Sequence, residues 1–297
     1  MGHVAVVGLG GMGRAIAGVL LDAGHDVVVW NRHGSAADAL VARGAVRASS
    51  VGEALRASVV LSMLADDAAF TEVFLESGVL ASARPGTVHA NMATVSTDLA
   101  VTAAAAHASA GVSYVAAPVF GRVSVAEAGA LQVLAAGEAS AIDRLQPYFD
   151  AIGSRTWRLG TDPRQANTAK LLGNYLIACA IQSLGEAVSV GEAAGVDASQ
   201  LVELLTSTLF LGPVYSGYGT MIAERRYHPA GFTTALGRKD LHLALDAAEA
   251  HDVPLPIGDV LRTVFEQSLA EGRGEADWAS IAELQPRRSP GRAVERG

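Results

Sequence analysis

One stretch limits what this chain can become more than any other. Val4-Ala5-Val6-Val7 is an apolar run, Gly8, Gly10 and Gly13 follow it as G-x-G-x-x-G, and Ile16, Val19 and Leu20 then recur at helical spacing. A strand that turns on glycines into a helix opens a dinucleotide-binding α/β unit. The missing β-carbons let a pyrophosphate approach the backbone amides at the helix N-terminus. Gly8, Leu9, Gly10, Gly11, Met12 and Gly13 are therefore candidate cofactor contacts. A second apolar strand ends in Trp30-Asn31-Arg32-His33. Such a fold reads the ribose 2′ position there: an acid accepts a 2′-hydroxyl, and an arginine suits a 2′-phosphate. Arg32 with no acid beside it favours NADP over NAD, with Asn31 and His33 as further candidate contacts.

At 297 residues, with 50% hydrophobic and 18% charged residues, the chain suits one large or two ordinary domains with a sizeable core. Its net charge of −8 supplies no overall basic face to neutralise phosphates, which argues against a nucleic-acid partner. The single cysteine, Cys179, stands in an apolar stretch and reads as an inert buried thiol. Eight scattered histidines without an H-x-x-x-H pair argue against a metal site. The chain opens on a strand, without a signal peptide, and its apolar runs fall short of the ~18 residues a membrane span needs. The expectation is a cytoplasmic protein with a small-molecule substrate.

Strand and helix patterns alternate through the first half: helices near 35–43, 49–57, 70–75, 97–110 and 139–151, and strands near 45, 59–64, 87–92, 113–117 and 132–136. That alternation predicts a doubly wound parallel sheet over residues 1–160. Residues 161–194 then read as one long helix, apolar nearly all round, which predicts burial on all sides between domains or against a second subunit, hence a homodimer. Helices near 200–211, 220–226, 233–251 and 258–271 make residues 195–284 an all-α domain. Residues 285–297, rich in Pro, Arg and Gly, read as a loose tail.

Lys170 and Asn174 lie four residues apart on the long helix and so share a face just after the dinucleotide domain. A protonated lysine there can donate to a carbonyl oxygen as a hydride reaches the carbon; neutral, it is the base for the reverse step.

With these motifs the chain resembles the β-hydroxyacid dehydrogenase family, which includes 3-hydroxyisobutyrate dehydrogenase, over residues 4–281. The glycine loop fits, and Trp30-Asn31-Arg32 accompanies NADP in similar proteins. The resemblance implies that Met63 and Leu64 belong to a cofactor-side loop, as do Asn91 and Thr94. It implies that Lys170 in Lys170-Leu-Leu-Gly-Asn174 is the proton donor and acceptor, and that Phe232 and Lys239 belong to a C-terminal motif approaching the nicotinamide. Two loops depart from the family. Where relatives carry Asp-x-Ser-Thr, this chain has Asn91-Met92-Ala93-Thr94; where they carry Pro-Val-Ser-Gly-Gly, it has Pro118-Val119-Phe120-Gly121-Arg122. Ala93, Phe120, Gly121 and Arg122 are thus candidate substrate-side residues. Either Arg122 replaces the lost donors as a carboxylate clamp, or Phe120 packs against a less polar substrate and Arg122 faces cofactor or solvent. The second reading is slightly favoured.

Trp30-Asn31-Arg32, Asn91 and Leu159-Gly160-Thr161-Asp162-Pro163 also resemble imine reductases, which usually carry Asp or Tyr at the position of Lys170. Lysine therefore argues for carbonyl reduction, because its cation repels a protonated iminium. A third reading, a non-catalytic cofactor-binding reader of modified proteins or nucleic acid, is disfavoured by Lys170 and by the lack of a further recognition domain.

Overall fold

The computed structural model describes residues 3–285. Two compact units make up the chain, Met1–Lys170 and Leu171–Gly297, divided within the long helix. The expected loose tail, apart from Gln285, lies outside the described residues.

The first unit is built on one sheet. Strands β1 (Val4–Val7), β2 (Val27–Trp30), β3 (Val46–Arg47), β4 (Val59–Ser62), β5 (Val88–Asn91) and β6 (Ser113–Ala116) lie parallel in the order β3-β2-β1-β4-β5-β6. Helices α1 (Gly11–Asp22), α2 (Asp38–Ala42), α3 (Val51–Ala54), α4 (Asp67–Phe70) and α5 (Thr97–Ser109) connect them. Helices cover both faces, so β1 is apolar at every position rather than alternating. Val4 and Val6 meet Ile16 and Leu20 of α1 on one face; Ala5 and Val7 meet Leu55, Phe70, Phe74 and Leu99 on the other. Ser50 and Ser96 cap α3 and α5 through their hydroxyls, and Asp66 caps α4 through its carboxylate.

Beyond β6 the sheet is no longer purely parallel. The chain passes Pro118 and forms β7 (Val119–Phe120), α6 (Val123–Glu127), β8 (Leu131–Gly137), α7 (Ala139–Ile152) and β9 (Gly153–Gly160). Strand β8 runs antiparallel to both β6 and β7, and β9 lies parallel to β8. Proline cannot donate a ladder hydrogen bond, and Gly121 at φ +139° turns the backbone, so β7 stays two residues long.

Helix α8 (Pro163–Ala194) starts in the first unit, where Ala166 and Ala169 join the core and Asn167 Nδ2 donates to the Ser96 carbonyl at 3.3 Å. This anchoring is why the boundary follows Lys170. The second unit comprises the rest of α8 with α9 (Ala198–Thr208), α10 (Pro213–Glu224), α11 (Thr234–Glu249), α12 (Pro256–Ala270) and a 3-10 turn at Trp278–Leu284. Its core gathers Ile181, Leu184, Val188, Ile222, Leu261, Phe265 and Trp278. Helix α10 starts well before the expected residue 220, because Pro213 suits the first helical position.

Within the chain itself α8 is not buried all round. Leu171 and Ile181 are fully buried, while Leu172, Leu176 and Val190 are 43, 64 and 70% exposed. By length and composition α8 is apolar enough to cross a membrane, but its buried stripe is that of a core helix. Cys179 is half-buried, and burial pushes its thiol pKa upward.

Candidate active site

The glycine loop separates structural glycines from an open one. A β-carbon on Gly8, at φ +92°, would sit 2.4 Å from the Met63 carbonyl oxygen, and one on Gly13 would sit 2.0 Å from that of Gly8. Both glycines are required by the protein's own packing. Gly10 is not: a β-carbon there meets no protein atom within 4 Å. Gly10 and Gly11 are exposed, and α1 begins without a side-chain cap or an acid in its first turn. Open amides at a helix N-terminus beside a glycine that leaves room fit a dinucleotide pyrophosphate.

The candidate cofactor residues around the loop have unequal roles. Leu9 is buried in the core, and its amide donates to Asn31 Oδ1 at 2.9 Å. Asn31 Nδ2 donates in turn to the His33 carbonyl at 3.1 Å. Leu9 and Asn31 therefore latch the loop to the end of β2. Met12 is half-buried against the core, and Met63 and Leu64 border Gly8 from the end of β4. Arg32 and His33 are exposed at the rim, where Arg32 forms an ion pair with Glu72.

At the ends of β4 and β5 the chain buries a polar relay. His107 Nδ1 lies 2.7 Å from the Ala103 carbonyl, which can only accept, so this nitrogen carries the proton. His107 Nε2 must then accept from His89 Nδ1–H at 2.7 Å, and His89 Nε2 accepts from the Ser62 hydroxyl at 2.8 Å. Ser62 Oγ also lies 3.3 Å from Asn91 Oδ1, which accepts from the Ala93 amide at 3.2 Å; Asn91 Nδ2 donates to the Tyr114 hydroxyl at 3.2 Å. Desolvation drives the His89 pKa well below the ordinary histidine value and lowers that of His107 to about 4; burial likewise raises Tyr114. The relay is thus neutral. It occupies Asn91, expected at the cofactor, and Ala93, expected at the substrate, is buried in the core beside it. Both residues are held within the protein, where they shape the loop that carries half-buried Thr94. Ser96 is committed to capping α5.

The loop expected on the substrate side and the helix lysine meet. Lys170 Nζ sits over the Phe120 ring, 4.6 Å from its centroid. Gly121 admits no side chain, since a β-carbon would lie 2.6 Å from Leu131 Cδ2. Arg122 starts α6, its carbonyl accepting from the Val125 and Ala126 amides. The next residue, Val123, would lie 3.3 Å from a β-carbon on Gly11, which brings the Arg122 loop beside the glycine loop.

Within the second unit, Asn174 is buried and its Nδ2 donates to Asp240 Oδ2 at 2.5 Å. The Lys239 ammonium lies 3.1 Å from the other oxygen of Asp240, which is itself buried. Phe232 packs edge-on against Trp278, centroids 4.9 Å apart, as Tyr218 does at 5.8 Å.

Two family models cover most of the chain. Residues 3–160 match the NAD binding domain of 6-phosphogluconate dehydrogenase, and residues 165–285 match the family described as NAD-binding of NADP-dependent 3-hydroxyisobutyrate dehydrogenase. The chain belongs to the 3-hydroxyisobutyrate dehydrogenase-like family. A Bacillus subtilis relative, described as the uncharacterized oxidoreductase YfjR, is 37% identical over 94% of this chain and 98% of its own length. The NAD-dependent L-serine dehydrogenase of Pseudomonas aeruginosa is 32% identical over 96% and 98%. Among solved structures, Mycobacterium tuberculosis 3-hydroxyisobutyrate dehydrogenase with L-serine superposes with a TM-score of 0.86 at 28% identity, covering 96% of this chain and 99% of that one. The Streptomyces aurantiacus imine reductase, at TM-score 0.66 and 24% identity over 96% and 100%, shares the fold.

Membership of this family makes the chain an oxidoreductase that uses a nicotinamide dinucleotide. Three features of this family member escaped the sequence patterns. The His89–His107 contact joins a strand to a helix with no motif to announce it. Glu72 stands far along the chain from Arg32. Asp240 was visible only as part of a motif and not as the anchor of Asn174.

Proposed function

We propose that the protein is an NADP-preferring reductase and dehydrogenase for a small carbonyl acid and its hydroxy acid, with Lys170 as the general acid and base. The observation that carries this reading is Lys170 held over Phe120 in the unit that contains the glycine loop. The nicotinamide, when bound, supplies or accepts the hydride. Lys170 donates its proton to the carbonyl oxygen as negative charge develops there, and takes it back from the hydroxyl in the reverse direction. The Phe120 ring favours the ammonium form by about 0.5–1 kcal/mol at a partly exposed site. That suits proton donation and disfavours a cationic iminium substrate.

This use of Phe120 weakens the case for a less polar substrate, because the ring already faces the lysine. Arg122, beside the glycine loop, is then the residue to hold a carboxylate. Named activities of relatives support an acid substrate: L-serine dehydrogenase in Pseudomonas aeruginosa, and glyoxylate/succinic semialdehyde reductase 1 in Arabidopsis thaliana at 30% identity. Arg32 supports NADP. The exposed apolar residues Leu172, Leu176 and Val190 support a homodimer that covers them; cytoplasmic location completes the proposal.

An NADPH-oxidation screen over aldehyde acids, simple ketones and cyclic imines tests the substrate class. Turnover is expected on aldehyde acids. Turnover confined to cyclic imines overturns the proposal in favour of imine reduction.

A further inference from the structure

The rule that separates NAD from NADP at the end of β2 looks for one charge, an acid or an arginine. This rim holds both. Arg32 stands two residues past β2, and its partner Glu72 comes from elsewhere, the π-helical turn Thr71–Glu76 that continues α4 after β4. The turn buries Val73 and Phe74 while leaving Glu72 at the surface. A wide turn of this kind is frequent at functional sites. The two side chains are 56 and 60% exposed, so their pairing is loosely held and readily exchanged. A similar pair, Arg47 with Asp38, flanks the turn after β2. Thus the arginine that would receive a 2′-phosphate is already bonded to a carboxylate that competes with it.

We propose that Glu72 sets the cofactor specificity of this enzyme and makes it accept NAD as well as NADP. With NADP, the 2′-phosphate displaces Glu72 from Arg32 and bears the repulsion of the nearby carboxylate. With NAD, Glu72 stays on Arg32 and accepts the ribose 2′-hydroxyl, the task an acid at the end of β2 performs in NAD-specific folds. Glu72 therefore narrows a preference that Arg32 alone would make strong. The inference rests on Arg32 as the 2′-phosphate site.

Equilibrium titration of the full-length protein with NADPH and NADH, comparing wild type with Glu72→Gln, Glu72→Lys and Arg32→Ala, tests it. Both Glu72 variants are expected to tighten NADPH about three- to tenfold and to weaken NADH at least twofold, while Arg32→Ala weakens NADPH at least tenfold and NADH little. An NADPH/NADH affinity ratio within twofold of wild type in both Glu72 variants, with Arg32→Ala still lowering NADPH preference, overturns the role of Glu72 alone. An unchanged ratio in Arg32→Ala as well overturns the 2′-phosphate site itself. Glu72 and Arg32 are surface residues, and an unchanged thermal midpoint shows that each variant is folded.

Discussion

Gly8, Gly10 and Gly13 share a motif but answer to different forces. Gly13 exists because the Gly8 carbonyl occupies the space a β-carbon would take, so Gly13→Ala collides with backbone that cannot yield. Gly10 exists for what approaches from outside. Its φ of −62° suits alanine, and a β-carbon there meets no protein atom. Gly13→Ala should destabilise the fold by about 1–3 kcal/mol or more. Gly10→Ala should cost about 1 kcal/mol at most, as a lost N-cap preference, yet weaken nicotinamide dinucleotide binding at least tenfold. Thermal unfolding and cofactor titration of the two variants check this, and equal effects on stability would show that the loop has no open side. Lys170 and Phe120 form the matching pair at the chemical end. The ring replaces a serine of the family pattern and gives the lysine a face to rest on.

Among the elements, β4, β5 and α5 carry the relay of Ser62, His89, His107 and Asn91, which makes a pH-dependent contribution to stability. His107 titrates near 6.5 in the unfolded chain and at about 4 when folded, so the unfolded chain binds the proton first. The contribution is neutral above pH 6.5 and turns destabilising as pH falls from about 6.5 toward 4, approaching roughly 3 kcal/mol for His107. Urea unfolding between pH 7 and 4.5 should show this loss in wild type and a shallower one in His89→Phe/His107→Leu; identical slopes would contradict a neutral buried pair. The relay also shows what the sequence conceals. The apolar runs of β1 and β4, the helical spacing in α1 and the lengths of α5 and α8 are legible from the sequence alone. By contrast, β7 has only Val119 and Phe120, too short for any period, and α6 is a single turn and a half. Strand β9 carries Arg155 and Arg158 at an edge, where burial no longer selects apolar residues. His89 and Asn91 sit in a strand otherwise apolar, and only the fold reveals that their polar atoms find one another.

At the scale of the whole molecule, two compact units divide within one helix. Lys170 closes the first unit, and Asn174, one turn on, belongs to the second, where Asp240 fixes it. A helix shared in this way keeps Lys170, the proposed acid/base group, in the unit of the glycine loop and Phe120. Lys170, Asn174 and the glycines were legible as candidate residues; the latch of Asn31, the relay of Asn91 and the anchor Asp240 were not, because each depends on a partner distant in sequence. The account stands or falls on Lys170 acting in the proton step rather than in binding. The most direct measurement pairs NADPH titration with turnover on the best substrate for Lys170→Ala. The expected result is a kcat at least about 100-fold lower with the NADPH dissociation constant within about twofold of wild type. Turnover near the wild-type value would contradict the account.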